Sequence, residues 1–260
     1  MNGIILAGGT GSRLSPLTDV VSKQLLPVYN KPMIYYPLST LMLIGIQEIM
    51  LISTPRDLPL YNMLLGTGKK FGINISYEVQ INPGGIAEAL IIGESFLSKK
   101  NCALILGDNL LYGSGMGRNL ISNVGKSGAT ILAHHVPNPS EFGVVEFDTN
   151  NKPISIIEKP KNTKSNWAIP GLYFYDETAS GRAREIRPSP RGEREITDLN
   201  RSYLASGDLK VLKMPRGTAW LDLGTPSSLL EASKFIQIIE DRQGLKVGDP
   251  LEIAKVMGYI

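Results

Sequence analysis

Asn2-Gly-Ile-Ile-Leu-Ala-Gly-Gly-Thr-Gly-Ser-Arg-Leu14 opens on an apolar run, Ile4 to Ala7, that breaks into Gly8, Gly9, Thr10, Gly11 and Ser12 before Arg13. A short apolar run bounded by glycines reads as a buried strand entering a tight loop. Glycine lets the backbone approach a ligand and turn its N–H groups toward it. Such a loop is an anion cradle, and Arg13 adds a fork suited to phosphate oxygens. A P-loop would carry Lys and then Ser or Thr where this loop has Arg13-Leu14, and a Rossmann fingerprint would carry a third Gly at Leu14. Two readings stay open. One is a different nucleotide loop, served by a separate lysine; the other is a glycine-rich turn with no further role.

The chain of 260 residues suits one large α/β domain or two small ones and can bury a full core. Its net charge of +3 is small and its charges are interspersed, so charge gives no sign of nucleic-acid or membrane binding. The single cysteine, Cys102, excludes an intrachain disulfide and sits in an apolar run, as a buried strand thiol does. No apolar run approaches transmembrane length and no signal peptide is visible, so the expected location is the cytoplasm.

Downstream of the loop, Lys23 precedes Leu25, Leu26 and Pro27, close enough to return to the same phosphates. Pro32 is expected to open a helix reaching Gly45, with Pro37 marking a kink or boundary. Strands are expected at Ile49 to Ile52 and Ile73 to Gln80, and helices at Leu58 to Leu65 and Ile86 to Phe96. Between Gln80 and Ile86 lies a second glycine loop, Asn82-Pro-Gly-Gly85. Gln80 carries a donor and an acceptor that suit the edge of a nucleobase, although taken alone a plain turn residue is the favoured reading. Asp108 ends the apolar strand Ala103 to Leu106, where open α/β sheets bind ligands. It is a natural Mg²⁺ ligand, since Mg²⁺ takes one or two carboxylates and completes its shell with phosphate and water; the alternative is an Asp that caps the next helix. From Thr130 onward strands succeed one another, at Thr130 to Ala133, Gly143 to Phe147, Ile154 to Ile157 and Leu172 to Tyr175. Glu158 and Lys159 end one of them; neighbours on an extended segment point to opposite faces, though a strand end often twists. His134 and His135 have no metal-type neighbours and read as structural. Arg191 lies in the polar loop Pro188 to Glu195, and a helix is expected from Thr197 through Leu204. Asp222 ends the Trp220 strand, followed by Thr225 as helix cap and Pro226 as first helical residue, with the helix running to Arg242.

These segments together resemble the sugar nucleotidyltransferases, and within them the glucose-1-phosphate thymidylyltransferases. The resemblance rests on GGTGSRL (8–14), SKQLLPVYNKPMIYYPLSTLM (22–42), GESF (93–96), LGDN (106–109), FGVVEFD (142–148), EKP (158–160), GLYFY (171–175), SPRGEREITDLNRSYL (189–204), AWLDLGT (219–225) and EDRQGLKV (240–247), and it spans essentially the whole chain. It implies an α/β fold with a Rossmann-like, largely parallel sheet flanked by helices and an inserted β-rich sugar-binding region. The nucleotide part would cover about 1–128, the sugar part about 129–224 and C-terminal helices about 225–260. The implied reaction is transfer of a thymidylyl group from dTTP to α-D-glucose 1-phosphate with Mg²⁺, by in-line displacement of pyrophosphate. The alternatives are a UTP-using or other hexose-1-phosphate transferase, or a non-catalytic nucleotide-sugar sensor.

The resemblance also implies roles. Leu6, Gly8, Gly9, Gly11, Ser12, Arg13, Gln80, Gly85 and Asp108 would bind nucleotide. Asn109, Gly143, Glu158, Lys159, Ile169 and Arg191 would bind the sugar phosphate. Arg13, Lys23, Asp108 and Lys159 would be catalytic, with Asp108 and Asp222 on the metal. Departures from the usual pattern are Ser12 and Leu223 in place of Thr, Phe142 in place of Tyr, and Pro170 in place of a Thr, the last removing a backbone N–H near the sugar. Similar chains form homo-oligomers and continue past the equivalent of Ile260. The expectation here is a dimer or tetramer with weak or absent feedback by deoxysugar nucleotides, the segment Tyr112 to Gly117 being unusually rich in glycine for such a second site.

Overall fold

The computed structural model describes residues 1–9, 11–114 and 116–260; Thr10 of the opening loop and Gly115 of the 112–117 segment lie outside the described residues. The first half alternates strands and helices. It runs β1 (Asn2–Leu6), the short β2 (Pro27–Val28) and β3 (Lys31–Pro32), α1 (Tyr35–Leu43), β4 (Glu48–Ser53), α2 (Leu58–Leu65), β5 (Asn74–Val79), α3 (Glu88–Ile92), α4 (Glu94–Leu97), β6 (Cys102–Leu106), β7 (Asn109–Tyr112) and α5 (Arg118–Asn123). Strands dominate next, as β8 (Ala129–His135), β9 (Gly143–Phe147), β10 (Pro153–Glu158), β11 (Trp167–Ala168) and β12 (Leu172–Tyr175). The remainder is α6 (Ala179–Glu185), α7 (Ile196–Ala205), β13 (Leu209–Lys213), β14 (Ala219–Asp222), α8 (Pro226–Gln243) and α9 (Pro250–Val256).

β5, β4, β1 and β6 lie side by side and parallel, forming the Rossmann-like part. β12 joins β6 antiparallel, and β8, β11, β9 and β10 continue the same sheet with antiparallel pairings, β13 lying parallel beside β8. β1, β4 and β6 are buried on both faces, while the edge strand β5 exposes one. Ile4, Leu6, Met50, Ile52, Cys102 and Leu104 pack to one side with α3, α6 and α7. Ile5, Ala7, Ile49, Leu51, Ala103 and Ile105 pack to the other with α1, α2 and α9. This is the period-two alternation of a strand covered by helices above and below. Burial pushes the Cys102 thiol up to about 12, as befits an inert core thiol. Among the described residues no helix is long and apolar enough to cross a membrane.

Two expected helices differ in the structure. Pro32 does not open α1 but pairs with Pro27 in the β2–β3 turn, and α1 starts at Tyr35. Pro37 then falls in the first turn of α1, where a missing N–H costs no helical bond, so it marks the start rather than a kink. The segment expected as one helix from Ile86 to Phe96 is α3 and α4 with a break at Gly93. A Cβ on Gly93 would stand 2.7 Å from the Ile4 side chain, so the glycine lets this segment press onto β1.

α8 begins on a reciprocal cap, in which Thr225 Oγ1 accepts from the Ser228 N–H and Ser228 Oγ accepts from the Thr225 N–H. Its far end is tied back to the β2–β3 turn. Glu240 accepts from Lys31 Nζ at 2.7 Å, Asn30 Nδ2 at 2.7 Å and the Val247 N–H at 2.9 Å. The Lys31 and Glu240 side chains are only 6% and 10% exposed. Removing one member of a buried pair strands the other charge. Glu240→Ala is therefore expected to lower stability by about 3 kcal/mol in urea unfolding. The double replacement Lys31→Met with Glu240→Leu should recover most of the loss; equal losses in the two proteins would contradict this.

Candidate active site

Parallel strands deliver their C-terminal ends to one edge. The loops after β1, β5 and β6 meet there, as expected for ligand sites of open α/β sheets. In the first loop Gly9 and Gly11 have φ of +102° and +62°, which side-chain-bearing residues rarely adopt. The Thr18 hydroxyl donates to the Gly11 carbonyl at 2.8 Å. Beneath the loop lies a buried polar network. Ser53 Oγ donates to the Ala7 carbonyl at 2.9 Å and Gln24 Nε2 to the Gly8 carbonyl at 3.4 Å. Ser22 Oγ donates to Gln24 Oε1 at 2.5 Å and lies 2.8 Å from the Tyr61 hydroxyl. Ser22 and Gln24 flank Lys23, so the groups that support the glycine loop also aim that lysine. Sequence reasoning missed Ser53 and Tyr61, because only tertiary contact brings them under the loop. Leu6 packs in the core and its carbonyl accepts from the Gly107 N–H at 2.9 Å.

Lys23 Nζ forms an ion pair with Asp108 Oδ2. Asn109 Nδ2 donates to Asp108 Oδ1 at 3.1 Å, and Asn109 Oδ1 accepts from the Gly171 N–H at 2.9 Å and Trp220 Nε1 at 2.6 Å. β7 and β14 form an antiparallel ribbon that sets Asp222 opposite Asn109. The Leu223 N–H donates to the Asp108 carbonyl at 3.1 Å. Gly224 makes room for Arg13: a Cβ there would stand 2.7 Å from Arg13 Nη2 and 3.2 Å from Asp222 Oδ2. Burial raises the Asp108 carboxyl, but the Lys23 charge and the hydrogen bonds from Lys23 and Asn109 prevail and hold it below its ordinary value. Burial, and then the Asp108 charge, push the Asp222 carboxyl up to about 6 against the pull of Lys23, Arg13 and Lys159. Among the described residues no cluster offers three or more His, Cys, Asp or Glu ligands. Two carboxylates whose charges oppose each other fit a hard divalent cation that takes its other ligands from phosphate and water.

A cleft of about 230 Å³ extends from these carboxylates toward β9 and β10 and brings Arg13, Asp108, Asn109, Gly143, Glu158, Lys159, Ile169 and Asp222 together. Strand alternation alone would set Glu158 and Lys159 on opposite faces, and the twist at the strand end overrides it here. Lys159 leaves the strand with φ of +42°, so both side chains line the same cleft. Thr197 Oγ1 donates to Glu158 Oε2 at 2.5 Å. The rings of Trp220 and Phe142, with centroids 4.7 Å apart, make an aromatic wall. Tyr173, Thr197 and Trp220 are lining residues that sequence reasoning did not single out. Arg191 is not among the lining residues: its side chain is 55% exposed and pairs with Glu195 at 2.8 Å and Glu193 at 3.5 Å. The side chain of Leu223 is fully buried with Leu110, Tyr36 and Ile236, so it serves the core rather than the cleft.

On the other side of the glycine loop, Gln80 ends the β5 segment, its N–H donating to the Ser53 carbonyl at 2.8 Å. Its amide oxygen lies against Gly8, where an added Cβ would stand 3.2 Å away. Gly85 has φ of +93°, and a Cβ there would stand 2.4 Å from the Arg194 carbonyl oxygen. Ser12, beside Arg13, begins the turn Ser12–Leu14 that follows the loop.

The family model described as nucleotidyl transferase matches residues 2–238. The glucose-1-phosphate thymidylyltransferase of Mycolicibacterium smegmatis is 55% identical over 260 residues, which is 100% of this chain and 90% of that protein. The protein of the same name from Xanthomonas campestris is 53% identical over 259 residues, covering 99% and 88% of the two chains. A solved structure from Bacillus anthracis, named a candidate glucose-1-phosphate thymidylyltransferase in complex with sucrose, superposes with a TM-score of 0.83 at 42% identity, over 90% of this chain and 94% of that one. A UDP-glucose pyrophosphorylase complexed with UDP-glucose, 21% identical, shares the fold with a TM-score of 0.79 over 92% of this chain and 98% of that one.

The Asp222 carboxyl sets a pH dependence. Raised from 3.8 to about 6, it keeps a proton in the folded chain over a range where the unfolded chain has lost it. Its contribution to stability is thus full below about pH 4 and is lost as pH rises through about 6. Asp222→Asn removes this loss. Without divalent cations the variant should match the parent near pH 4 and exceed it above pH 6, by up to about 3 kcal/mol. A stability difference that stays flat between pH 4 and 7 would contradict the assignment.

Proposed function

This chain belongs to the nucleotidyl transferase family and is an enzyme of that class, and from that premise we propose that it makes dTDP-glucose. The reaction is dTTP plus α-D-glucose 1-phosphate giving dTDP-glucose plus pyrophosphate. The observation that carries this reading is the meeting of two half-sites at one pair of carboxylates. A glycine loop with Arg13 and Lys23 lies on one side of Asp108 and Asp222, and a cleft with Glu158 and Lys159 lies on the other.

On this reading residues 1–128 bind the nucleotide, residues 129–224 bind the sugar, and the helices from 225 to 260 close the single domain. Gln80 and the Gly85 backbone read the base. The backbone of Gly8, Gly9 and Gly11, with Ser12, cradles the triphosphate. Arg13 and Lys23 hold the β- and γ-phosphates, which depart together as pyrophosphate. Gly143, Asn109, Glu158 and Ile169 position the sugar. Lys159 draws the sugar phosphate toward the triphosphate, and Arg191 joins it by exchanging Glu195 for the incoming anion. A phosphate oxygen of the sugar then attacks the α-phosphorus in line with the leaving oxygen. The protein's work is to align two polyanions and offset their repulsion. Magnesium held by Asp108 and Asp222 supplies charge neutralisation at the α-phosphate when bound. Lys23 has a double task, since it neutralises Asp108 in the ligand-free chain and turns to phosphate once the substrates are present. On the same reading the enzyme acts in the cytoplasm as a homo-oligomer, a dimer or a tetramer.

Pyrophosphate release across a grid of nucleoside triphosphates and sugar 1-phosphates tests the reaction. The highest kcat/KM should fall on dTTP with glucose 1-phosphate, and UTP, which lacks the base methyl and adds a ribose 2′-hydroxyl, should trail by roughly 10–200-fold, the range for a methyl-sized difference with no clash at the added hydroxyl. A different sugar phosphate preferred over glucose 1-phosphate would contradict the proposal. For the leaving-group role, Lys23→Ala should cut kcat by about 10²-fold. In the reverse direction it should raise the KM for pyrophosphate far more than the KM for dTDP-glucose. Equal rises in both constants would contradict that role.

A further inference from the structure

The second glycine loop holds a contact that the reaction itself does not require. Glu88, the first residue of α3, reaches back over Gly84, and its Oε2 accepts from Gln80 Nε2 at 2.6 Å. The other amide hydrogen of Gln80 is taken by the Gly85 carbonyl, 3.2 Å from the same nitrogen. Gly84 is what allows this. A Cβ at that position would stand 2.2 Å from Glu88 Oε2 and 2.3 Å from its Cδ, within the space the carboxylate fills. The loop is also pinned from outside, the Arg194 N–H donating to the Gly84 carbonyl at 2.8 Å and the Ala87 N–H to the Arg194 carbonyl at 3.2 Å.

The chemistry of these partners fixes one end of an otherwise ambiguous group. A carboxylate and a peptide carbonyl both accept only, so the nitrogen of Gln80 has to face them. Both of its hydrogens are then used, and Oε1 is left against Gly8 as a pure acceptor in a residue only 7% exposed. A pyrimidine meeting that oxygen edge-on must offer a hydrogen. Thymine and uracil carry N3–H; cytosine in the same pose sets the bare acceptor N3 on that oxygen, its 4-amino donor lying one position along the edge, and two lone pairs facing each other in a buried site repel. An unrestrained glutamine would not discriminate, because it could turn its NH₂ to cytosine.

We propose that Glu88, seated over Gly84, is a positioning residue that locks the Gln80 amide and so restricts the enzyme to pyrimidine nucleotides bearing N3–H. The inference rests on the reading of Gln80 as the base-reading residue. Glu88 touches neither the base nor the reacting phosphates; it acts through Gln80.

The test is the ratio of kcat/KM for dTTP to that for dCTP, measured with glucose 1-phosphate in the parent and four variants. The parent should favour dTTP by about 10²-fold or more. Glu88→Ala frees the amide and Gly84→Ala drives the carboxylate off it, so each should shrink the ratio by about tenfold or more while leaving the dTTP to UTP ratio unchanged. Glu88→Gln restores an acceptor but also permits the reverse pairing, and should fall between Glu88→Ala and the parent. Gln80→Ala tests the underlying reading, and should raise the KM for every pyrimidine triphosphate and flatten the preference. If Gln80→Ala leaves nucleotide affinity unchanged, Gln80 does not read the base and the proposal falls with that reading. If Gln80→Ala behaves as expected while Glu88→Ala and Gly84→Ala slow dTTP and dCTP by the same factor, the lock is refuted and Glu88 is merely structural.

Discussion

Two half-buried carboxylates are the constraint around which the molecule is arranged. Asp108 lies in the turn before β7 and Asp222 ends β14, far away in sequence, and the β7–β14 ribbon sets Asp222 opposite Asn109, next to Asp108. Burying an unpaired carboxylate is costly, and burying two beside each other costs more. The chain answers with Lys23 on Asp108, Arg13 beside Asp222 and Lys159 across the cleft. Even so, Asp222 is pushed up to about 6 by burial and by Asp108. A carboxylate that burial and a like-charged neighbour still raise, despite three cations around the pair, is suited to receive a divalent cation. The same cations are then free to meet the phosphates that arrive with it.

The rest of the fold supplies stiffness to this arrangement. The parallel strands bring three loops to one edge, and helices cover both faces of the sheet so that those strand ends do not shift. Ser22, Gln24, Ser53 and Tyr61 form a buried, mutually bonded floor under the glycine loop, and the same floor carries Lys23. Asn109 is a second hub, joining Asp108, the Gly171 backbone and Trp220. Satisfied buried networks of this kind specify one geometry, which a reaction that depends on aligning two anions needs.

Much of this was legible in the residues. The strand-to-glycine break at Ala7, the carboxylate ending an apolar strand at Asp108 and the cap at Thr225 each announce themselves locally. Features made by tertiary contact were not legible. Period-two alternation sets Glu158 and Lys159 on opposite faces, and only the positive φ of Lys159 brings them into one cleft. Nothing near Ser53 or Tyr61 says that they hold the loop of residues 8–11. Gly93 looks tolerable inside a helix until Ile4 is seen against it. Arg191 carries the right charge in the right segment, yet two neighbouring glutamates hold it at the surface. The role of Gly84 is likewise invisible until Glu88 is placed over it.

The central claim is that Asp108 and Asp222 act together as the seat of a divalent cation shared with the nucleotide. Calorimetric titration of dTDP-glucose, with and without magnesium and in the absence of pyrophosphate, reads this directly because no turnover intervenes. The account predicts that magnesium tightens product binding to the parent by about tenfold, or some 1.4 kcal/mol, and does so neither in Asp108→Asn nor in Asp222→Asn. The same magnesium-dependent gain in both variants as in the parent would contradict it.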